Sequence, residues 1–526
     1  MRYIIGSGPA GIAAACALVE RGFPVTVLDA GLELEPERQE IVRSMSQSQP
    51  DGWKPAQIAA IKEGMTVEAE GVPLKYIYGS DFPYREIDKY IPRQVNEVEN
   101  LPSLAKAGLS NVWGGSLLPY LPQDIADWPI SREDLAPHYR AVLSFVPISA
   151  VKDDLADTYP LYSDHLQTLH PSRQATSLIA DLQRSQKVLA AKGVKFGYSR
   201  LAVRAEASDR DSGCVYCGLC MYGCPYGLIY NAASTLKTLQ QGENFYYQKD
   251  VIVEKLVESE GKVQIIAQSR VTGEPLNFTA EKVYVGAGVL PTTKILLESL
   301  EAYDRPLLIR DSQYFLLPLL RYRGSKNVVE EKLHTLQQAF IEICDDELSK
   351  NTIHLAIYTY NEMYRIFLQQ KLGGLYPLFE FFANQFLERM VLAQGYLHSN
   401  ISPSIVVKLQ KGQQGTAGQL ILDVKPNPQG EATINKLIKK LWSNTGYFKA
   451  IPLQPMLRLS KAGRSFHIGG SFPMKAKPDI FETDPLGRPA GWQNIHVVDA
   501  TVFPSIPATT ITLNVMANAH RIAANS

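Results

Sequence analysis

The chain has 526 residues, 45% of them hydrophobic and 20% charged, with 53 Lys plus Arg balancing 53 Asp plus Glu. That composition is globular, with material for two domains or one intertwined pair. The balanced charge lacks the basic footprint of a nucleic-acid binder, so no nucleic-acid partner is expected.

In chain order, Arg2–Ile5 reads as a buried strand that runs directly into a glycine turn and leaves no room for a leader peptide. A cytoplasmic location is expected, with a peripheral membrane association left open. A helical stretch over 10–22 and a second β-branched run over 24–28 complete a βαβ opening. Gly6-Ser7-Gly8-Pro9-Ala10-Gly11 has the G-x-G-x-x-G spacing between that strand and that helix. Gly6 permits the tight turn, Gly8 lets backbone approach a pyrophosphate, and Gly11 lets helix and strand pack closely. Asp29 ends the second strand, where a carboxylate can accept ribose hydroxyls. The motif by itself leaves NAD and FAD both open.

Six cysteines occur, at 16, 214, 217, 220, 224 and 344, and four fall within eleven residues. Cys214, Cys217, Cys220 and Cys224, followed by Pro225, have the C-x2-C-x2-C-x3-C-P spacing of bacterial ferredoxins, which predicts an iron–sulfur site ahead of zinc, redox disulfides or structural thiols. Both a 4Fe-4S cluster on all four thiolates and a 3Fe-4S cluster with one spare fit that spacing. Cys16 and Cys344 read as small buried residues.

Lys282–Val285 with Gly286-Ala287-Gly288 reads as a later strand of the opening sheet, ahead of a helix at 291–300. The stretch 375–397 is the most apolar, but Glu380, Glu388 and Arg389 interrupt it, so no transmembrane segment is expected. Within it Phe379, Phe382, Phe386 and Met390 read as core rather than as a lipid-facing face. Ile434, Leu437, Ile438, Leu441 and Trp442 recur at helical spacing with lysines between them and read as one face packed on its own domain, ahead of a face for a membrane surface or an acceptor protein. The strand-like run 495–498 precedes Asp499 and a closing helical segment.

Three blocks carry a family resemblance. Gly108-Leu109-Ser110-Asn111-Val112-Trp113-Gly114-Gly115, with Asp127-Trp128-Pro129 after it, resembles the glycine-rich segment that lies against the flavin in the glucose-methanol-choline oxidoreductases. His467-Ile468-Gly469-Gly470 through Met474 resembles that family's histidine block, and 494–521 its closing segment. The resemblance implies a Rossmann-type FAD-binding domain assembled from 1–115, 205–300 and 456–526. A second, antiparallel-sheet substrate domain would come from 116–204 and 301–455, an α/β plus α+β architecture overall.

It further implies FAD as cofactor, with Asn111, Gly114, Gly115, Asp499 and Ala500 toward the flavin end, and a small alcohol, polyol or sugar as substrate. Asp499 could alternatively be a helix cap. His467 would take the hydroxyl proton as hydride leaves carbon. The family's second His or Asn is replaced by Thr510, which cannot act as a base at neutral pH, and Asn514 lies one helical turn later. With an iron–sulfur cluster, the expected reaction is a dehydrogenase passing electrons to an acceptor protein or quinone. The alternatives are an oxygen-using oxidase with structural cysteines and a non-catalytic flavin and iron–sulfur carrier.

Overall fold

The structure, a computed structural model, describes residues 1–64, 74–207, 213–412 and 418–526. A parallel five-stranded sheet gathers distant parts of the chain, in the spatial order Ile495–Val497, Lys282–Val285, Arg2–Ile5, Val25–Leu28, Phe245–Gln248. All four pairings are parallel, as strands buried on both faces by crossover helices require. The alanine-rich helix Pro9–Glu20 packs against the closing helix Thr512–Ala524, because small side chains let the backbones approach. That closing helix is buried nearly all round and also meets Arg132–Phe145. A three-stranded antiparallel meander, Val251–Ser259, Lys262–Ser269 and Pro275–Ala280, fills the crossover before Lys282–Val285.

A second large sheet runs in the order Ala450–Pro452, Tyr314–Arg321, Met390–Tyr396, Ile353–Tyr358, Ala339–Ile343, Val194–Tyr198, with Arg458–Leu459 pairing the second strand. Its pairings are antiparallel throughout. One face is covered by the helices Arg173–Arg184 and Pro428–Ser443, whose Leu178, Leu182, Ile434, Leu437, Ile438 and Leu441 join its core. The helical spacing at 434–441 thus marks a buried face, while Trp442 remains 48% exposed.

Ser404–Gln410 pairs in another sheet, with Leu307–Asp311, Gln419–Lys425, Arg93–Asn96 and Ile468–Gly469. Its Ile309, Ile405, Val407, Leu420 and Leu422 share the core of the nucleotide-type domain. It is therefore distinct from the sheet holding Ile353–Tyr358, a partition that β-like composition alone does not reveal.

The reading of Phe379 and Phe382 as core is corrected: they are 45% and 65% exposed, as are Phe381 at 69% and Leu378 at 75%. Helical periodicity defines a face but not what covers it. Among the described residues no helix is long and apolar enough to cross a membrane.

Arg321, 1% exposed at the end of its strand, donates to Asp181 Oδ2 at 2.5 Å and to the Gln174 carbonyl at 3.2 Å, pinning helix Arg173–Arg184 to the antiparallel sheet. Asp181→Ala strands that buried guanidinium and is expected to destabilise the chain by ~3–5 kcal/mol. Urea denaturation checks this; a loss under ~1 kcal/mol would show that the pair contributes no more than a surface contact.

Candidate functional site

The nucleotide turn has the shape its sequence requires. Gly6 sits at φ +95°, and a Cβ on Gly11 would stand 2.0 Å from the Gly6 carbonyl oxygen. A Cβ on Gly8 would meet nothing within 4 Å, so this glycine borders open space at the N-terminus of helix Pro9–Glu20, which no side chain caps. That combination fits an approaching pyrophosphate.

Asp29 is buried and accepts from the Ser7 hydroxyl (2.5 Å), the Ser7 N–H (3.3 Å) and the Tyr247 hydroxyl (2.9 Å). Burial raises its pKa above the ordinary value against those bonds. The Ala107 N–H in turn donates to Ser7 Oγ at 2.8 Å, which ties the glycine-rich segment to the turn.

Within that segment Asn111 is turned inward. Its amide donates to the Lys106 and Gly108 carbonyls and its oxygen accepts from Asn231, so its side chain shapes the loop. Trp113 and Gly114 face a cavity of about 700 Å³. Gly115 lies against Ile229 and Ala202, next to the cysteine segment. Trp113 Nε1 donates to the Tyr230 carbonyl at 2.7 Å, and Lys75 Nζ donates to the Trp113 carbonyl at 3.2 Å. Burial lowers the Lys75 pKa to about 8.

The same cavity is walled by Pro9, Leu109 and Ser110 on the nucleotide side, and by Tyr314, Tyr358, Tyr396 and His467 on the antiparallel-sheet side. His467 stacks on Tyr396, with ring centroids 4.8 Å apart and 14° between planes, and its Nδ1 is buried without a partner. Burial, with a smaller push from His354, lowers its pKa to about 3 and keeps the imidazole neutral.

The backbone of His467 is held by groups that sequence spacing does not single out. Asp311, fully buried, accepts from Ser465 Oγ at 2.6 Å and from the Gly463 N–H at 2.8 Å, and Ser465 Oγ accepts from the His467 N–H at 2.9 Å. Ser465 is two residues away in sequence, but Asp311 belongs to a strand more than 150 residues earlier. Gln337, 6% exposed, also lines the cavity; its Nε2 donates to the Tyr358 hydroxyl at 2.5 Å and its Oε1 is unpartnered.

Asn514 does not reach the cavity. Its oxygen accepts from the Tyr120 N–H (2.9 Å) and the Tyr139 hydroxyl, and its amide donates to the Leu118 and Thr510 carbonyls. All its hydrogen-bonding capacity is spent joining the closing helix to 118–120. Of the two alternatives that Thr510 leaves, Asn514 taking over or a single base sufficing, these bonds favour the single base. Thr510 Oγ1 accepts from the Leu118 N–H at 2.9 Å, and its neighbours Ile511 and Thr512 are the ones that line the cavity.

Asp499 accepts from the Gly288 N–H (2.9 Å), the Thr292 hydroxyl (2.6 Å) and the Thr501 N–H (2.9 Å). It caps the short turn Ala500–Val502 rather than the closing helix. The Ala500 carbonyl accepts from the Gly470 N–H at 3.0 Å, which seats the histidine block against this turn.

Cys214, Cys217, Cys220 and Cys224 are free thiols packed near one another. Burial pushes Cys214 and Cys217 up to about 12 and Cys224 up to about 11, with neighbouring thiols adding to each rise. The Leu228 N–H points at Cys224 Sγ, at 3.5 Å. Among the described residues no group of three or more His, Cys, Asp or Glu is placed to hold a metal ion. The side-chain geometry thus lends the iron–sulfur expectation no support. Cys16 is buried and Cys344 partly so.

Residues 442–519, which include His467 and Asp499, match the family model of the GMC oxidoreductases, and residues 4–34 match that of an NAD(P)-binding Rossmann-like domain. The chain carries a GMC oxidoreductase C-terminal domain. The whole molecule is similar in structure to pyridoxine 4-oxidase from Mesorbium loti, at 14% identity and TM-score 0.61, over 100% of this chain and 98% of that one. It is also similar to a formate oxidase at 13% identity and TM-score 0.59, over 99% and 97%. The formate oxidase of Aspergillus oryzae RIB40, solved to follow FAD modification, matches at 14% identity and TM-score 0.60, again over 99% and 97%. No curated protein matches in sequence. The GMC oxidoreductase fold, a Rossmann-type domain with an antiparallel-sheet domain beside it, is thereby shown.

The neutral state of His467 has a consequence for stability. Its folded pKa, about 3, lies below the unfolded value of ~6.5, so its contribution is complete above ~6.5 and is lost as pH falls toward 3. Asp311, raised to about 6 by burial, acts in the opposite sense between its unfolded value of ~3.9 and 6, which makes a difference measurement necessary. Between about pH 7 and about pH 5, wild type is expected to lose ~2 kcal/mol more than His467→Gln. Urea unfolding of both proteins at the two pH values checks this; equal losses would show that His467 is not buried neutral.

Proposed function

We propose that the protein is an FAD-dependent oxidoreductase that oxidises a CH–OH group, with His467 receiving the hydroxyl proton. One observation carries this reading: a single cavity is bounded by the nucleotide turn and the glycine-rich segment on one side and by the unpartnered imidazole of His467 on the other. FAD, when bound, supplies the hydride acceptor. Gly8 would border its pyrophosphate in the turn that Gly6 and Gly11 permit, and Asp29 would face its ribose. Gly114, Gly115, Asp499 and Ala500 would border the flavin end, with Asn111 acting by shaping the loop.

The chain's own residues then do three things. The largely apolar wall lowers the polarity around a bound substrate, which strengthens polar interactions within the cavity. Asp311 and Ser465 fix the backbone that carries His467. His467, kept neutral by burial, is always in the proton-accepting form, and an anion entering the cavity would raise its pKa toward a useful range. Gln337, on the same wall, has a buried Oε1 without a partner.

His467→Ala is expected to slow anaerobic bleaching of the flavin by alcohols by about 10²–10⁴-fold with flavin content unchanged. Stopped-flow absorbance measures it; bleaching at the wild-type rate would remove His467 from the chemistry.

Two readings of the electron acceptor have distinct support. Dioxygen is favoured by the structural similarity to a pyridoxine 4-oxidase and a formate oxidase. An external one-electron acceptor reached through an iron–sulfur cluster is favoured by the ferredoxin spacing of the four cysteines and by their position beside the glycine-rich segment, where Gly115 meets Ile229. Iron and acid-labile sulfide in protein purified without oxygen, with a paramagnetic signal lost in Cys217→Ser, are expected on the second reading. Full flavin occupancy without iron, and stoichiometric peroxide on turnover, would establish the first.

A further inference from the structure

The helices Glu362–Leu372 and Tyr376–Leu387, joined through Gly373–Leu375, have two apolar surfaces. One lines the cavity through Tyr364, Phe367, Leu368, Phe386 and Leu387. The other is bare: Leu375, Leu378, Phe379, Phe381 and Phe382 are between 45% and 75% exposed. The two surfaces are continuous. Leu378, Phe382 and Phe386 follow one another at i, i+4 spacing and so form a ridge along one helix face, its first two members exposed and its third in the cavity wall.

We propose that this helix pair seats on a lipid leaflet and that the cavity takes a long-chain apolar alcohol from it. The substrate class deepens the oxidoreductase reading and rests on it; the docking does not. The cavity wall agrees with the ridge, because Leu316, Pro318, Phe367, Met390, Leu392 and Leu457 line it; its polar side chains, Lys75, Gln337, Gln394 and Arg464 among them, are a minority, and among the described residues no acidic one lines it. An alkyl chain loses nothing against the apolar part of that wall, and the polar side chains on it can serve the one hydroxyl such a chain carries.

The patch favours a bilayer over a second copy of the chain. Five such side chains expose on the order of 600 Å², given ~150–250 Å² for a whole aromatic one, which is below the ~800 Å² per partner of a stable protein interface. It is at the top of the ~300–600 Å² range for the largest patch on a soluble monomer. A leaflet needs no shape complementarity and takes the apolar face of an interfacial helix ~5–10 Å into the acyl boundary. Charge at the margin is mixed, with Lys371 and Arg389 exposed near Glu380 and Glu388, so the apolar area and not charge favours the leaflet. Glu380 lies within the patch and limits the depth of insertion.

The test is sedimentation of the full flavin-loaded chain with vesicles of phosphatidylcholine containing phosphatidylglycerol, comparing wild type with the double variant Leu378→Ser, Phe381→Ser. Both side chains are outside the cavity wall and exposed, so the thermal unfolding midpoint is expected to hold while vesicle binding drops by roughly tenfold or more. Wild type that stays in the supernatant, or a variant that sediments equally, overturns the docking. So does a variant that merely turns a dimer into a monomer. Anaerobic calorimetric titration of the flavin-loaded His467→Ala variant with a long-chain primary alcohol reads the cavity with the chemistry slowed: saturable binding supports the substrate class, and its absence overturns it. A protein that binds this alcohol and never bleaches its flavin with it would fail as an oxidoreductase toward it while its membrane docking stood.

Discussion

The buried carboxylate of Asp499 is the contact on which the site depends. It receives the Gly288 N–H, the Thr292 hydroxyl and the Thr501 N–H, and so joins the middle of the chain to its end at the C-terminal edge of the parallel sheet. Burial works against the charge, and three donors compensate for the lost water. Because the Ala500 carbonyl holds the Gly470 N–H, the position of this turn passes directly to the histidine block. Loss of the Asp499 carboxylate would leave two N–H groups and a buried hydroxyl without partners in the turn that seats the histidine block.

The remainder of the site follows from two sheets that share no strand. The parallel sheet presents the glycine turn and, through Ser7 and Ala107, the segment 108–114. The antiparallel sheet presents Tyr314, Tyr358 and Tyr396, the last stacked on His467. A cavity between such layers is a common place for a ligand because both walls are rigid and neither needs to be continuous. Here the side wall contributed by the helices Glu362–Leu372 and Tyr376–Leu387 is also the most apolar exposed surface described, so packing chemistry on the inside and exposure on the outside belong to one structural unit.

Much of the nucleotide half was legible in the sequence. The turn Gly6 to Gly11 is a local steric problem with one solution, and strand, helix and acid follow within 29 residues. The parallel run Lys282–Val285 and the closing strand Ile495–Val497 were legible because strands buried on both faces read as continuous apolar runs. Less was legible elsewhere. Asn514 was a reasonable candidate from chain position, yet its four hydrogen bonds are all internal, which depends on where 118–120 folds back. Asp311 and Gln337 had no signal at all, since a single acid or amide in an apolar strand region looks the same whether or not it supports a neighbour.

The amino-acid sequence by itself determined the features whose cause is local: the glycine turn, the alanine-rich helix that must pack closely, the histidine block and the cysteine spacing. Tertiary structure alone decided which of these meet. It turned Asn111 and Asn514 inward, set Asp311 under His467, divided the strands of 301–455 between two sheets, and left the phenylalanines of 379–382 bare while Phe386 faces the cavity. The physical reason is that periodicity and propensity specify which face of an element is apolar, whereas what covers that face is set by contacts between residues hundreds of positions apart.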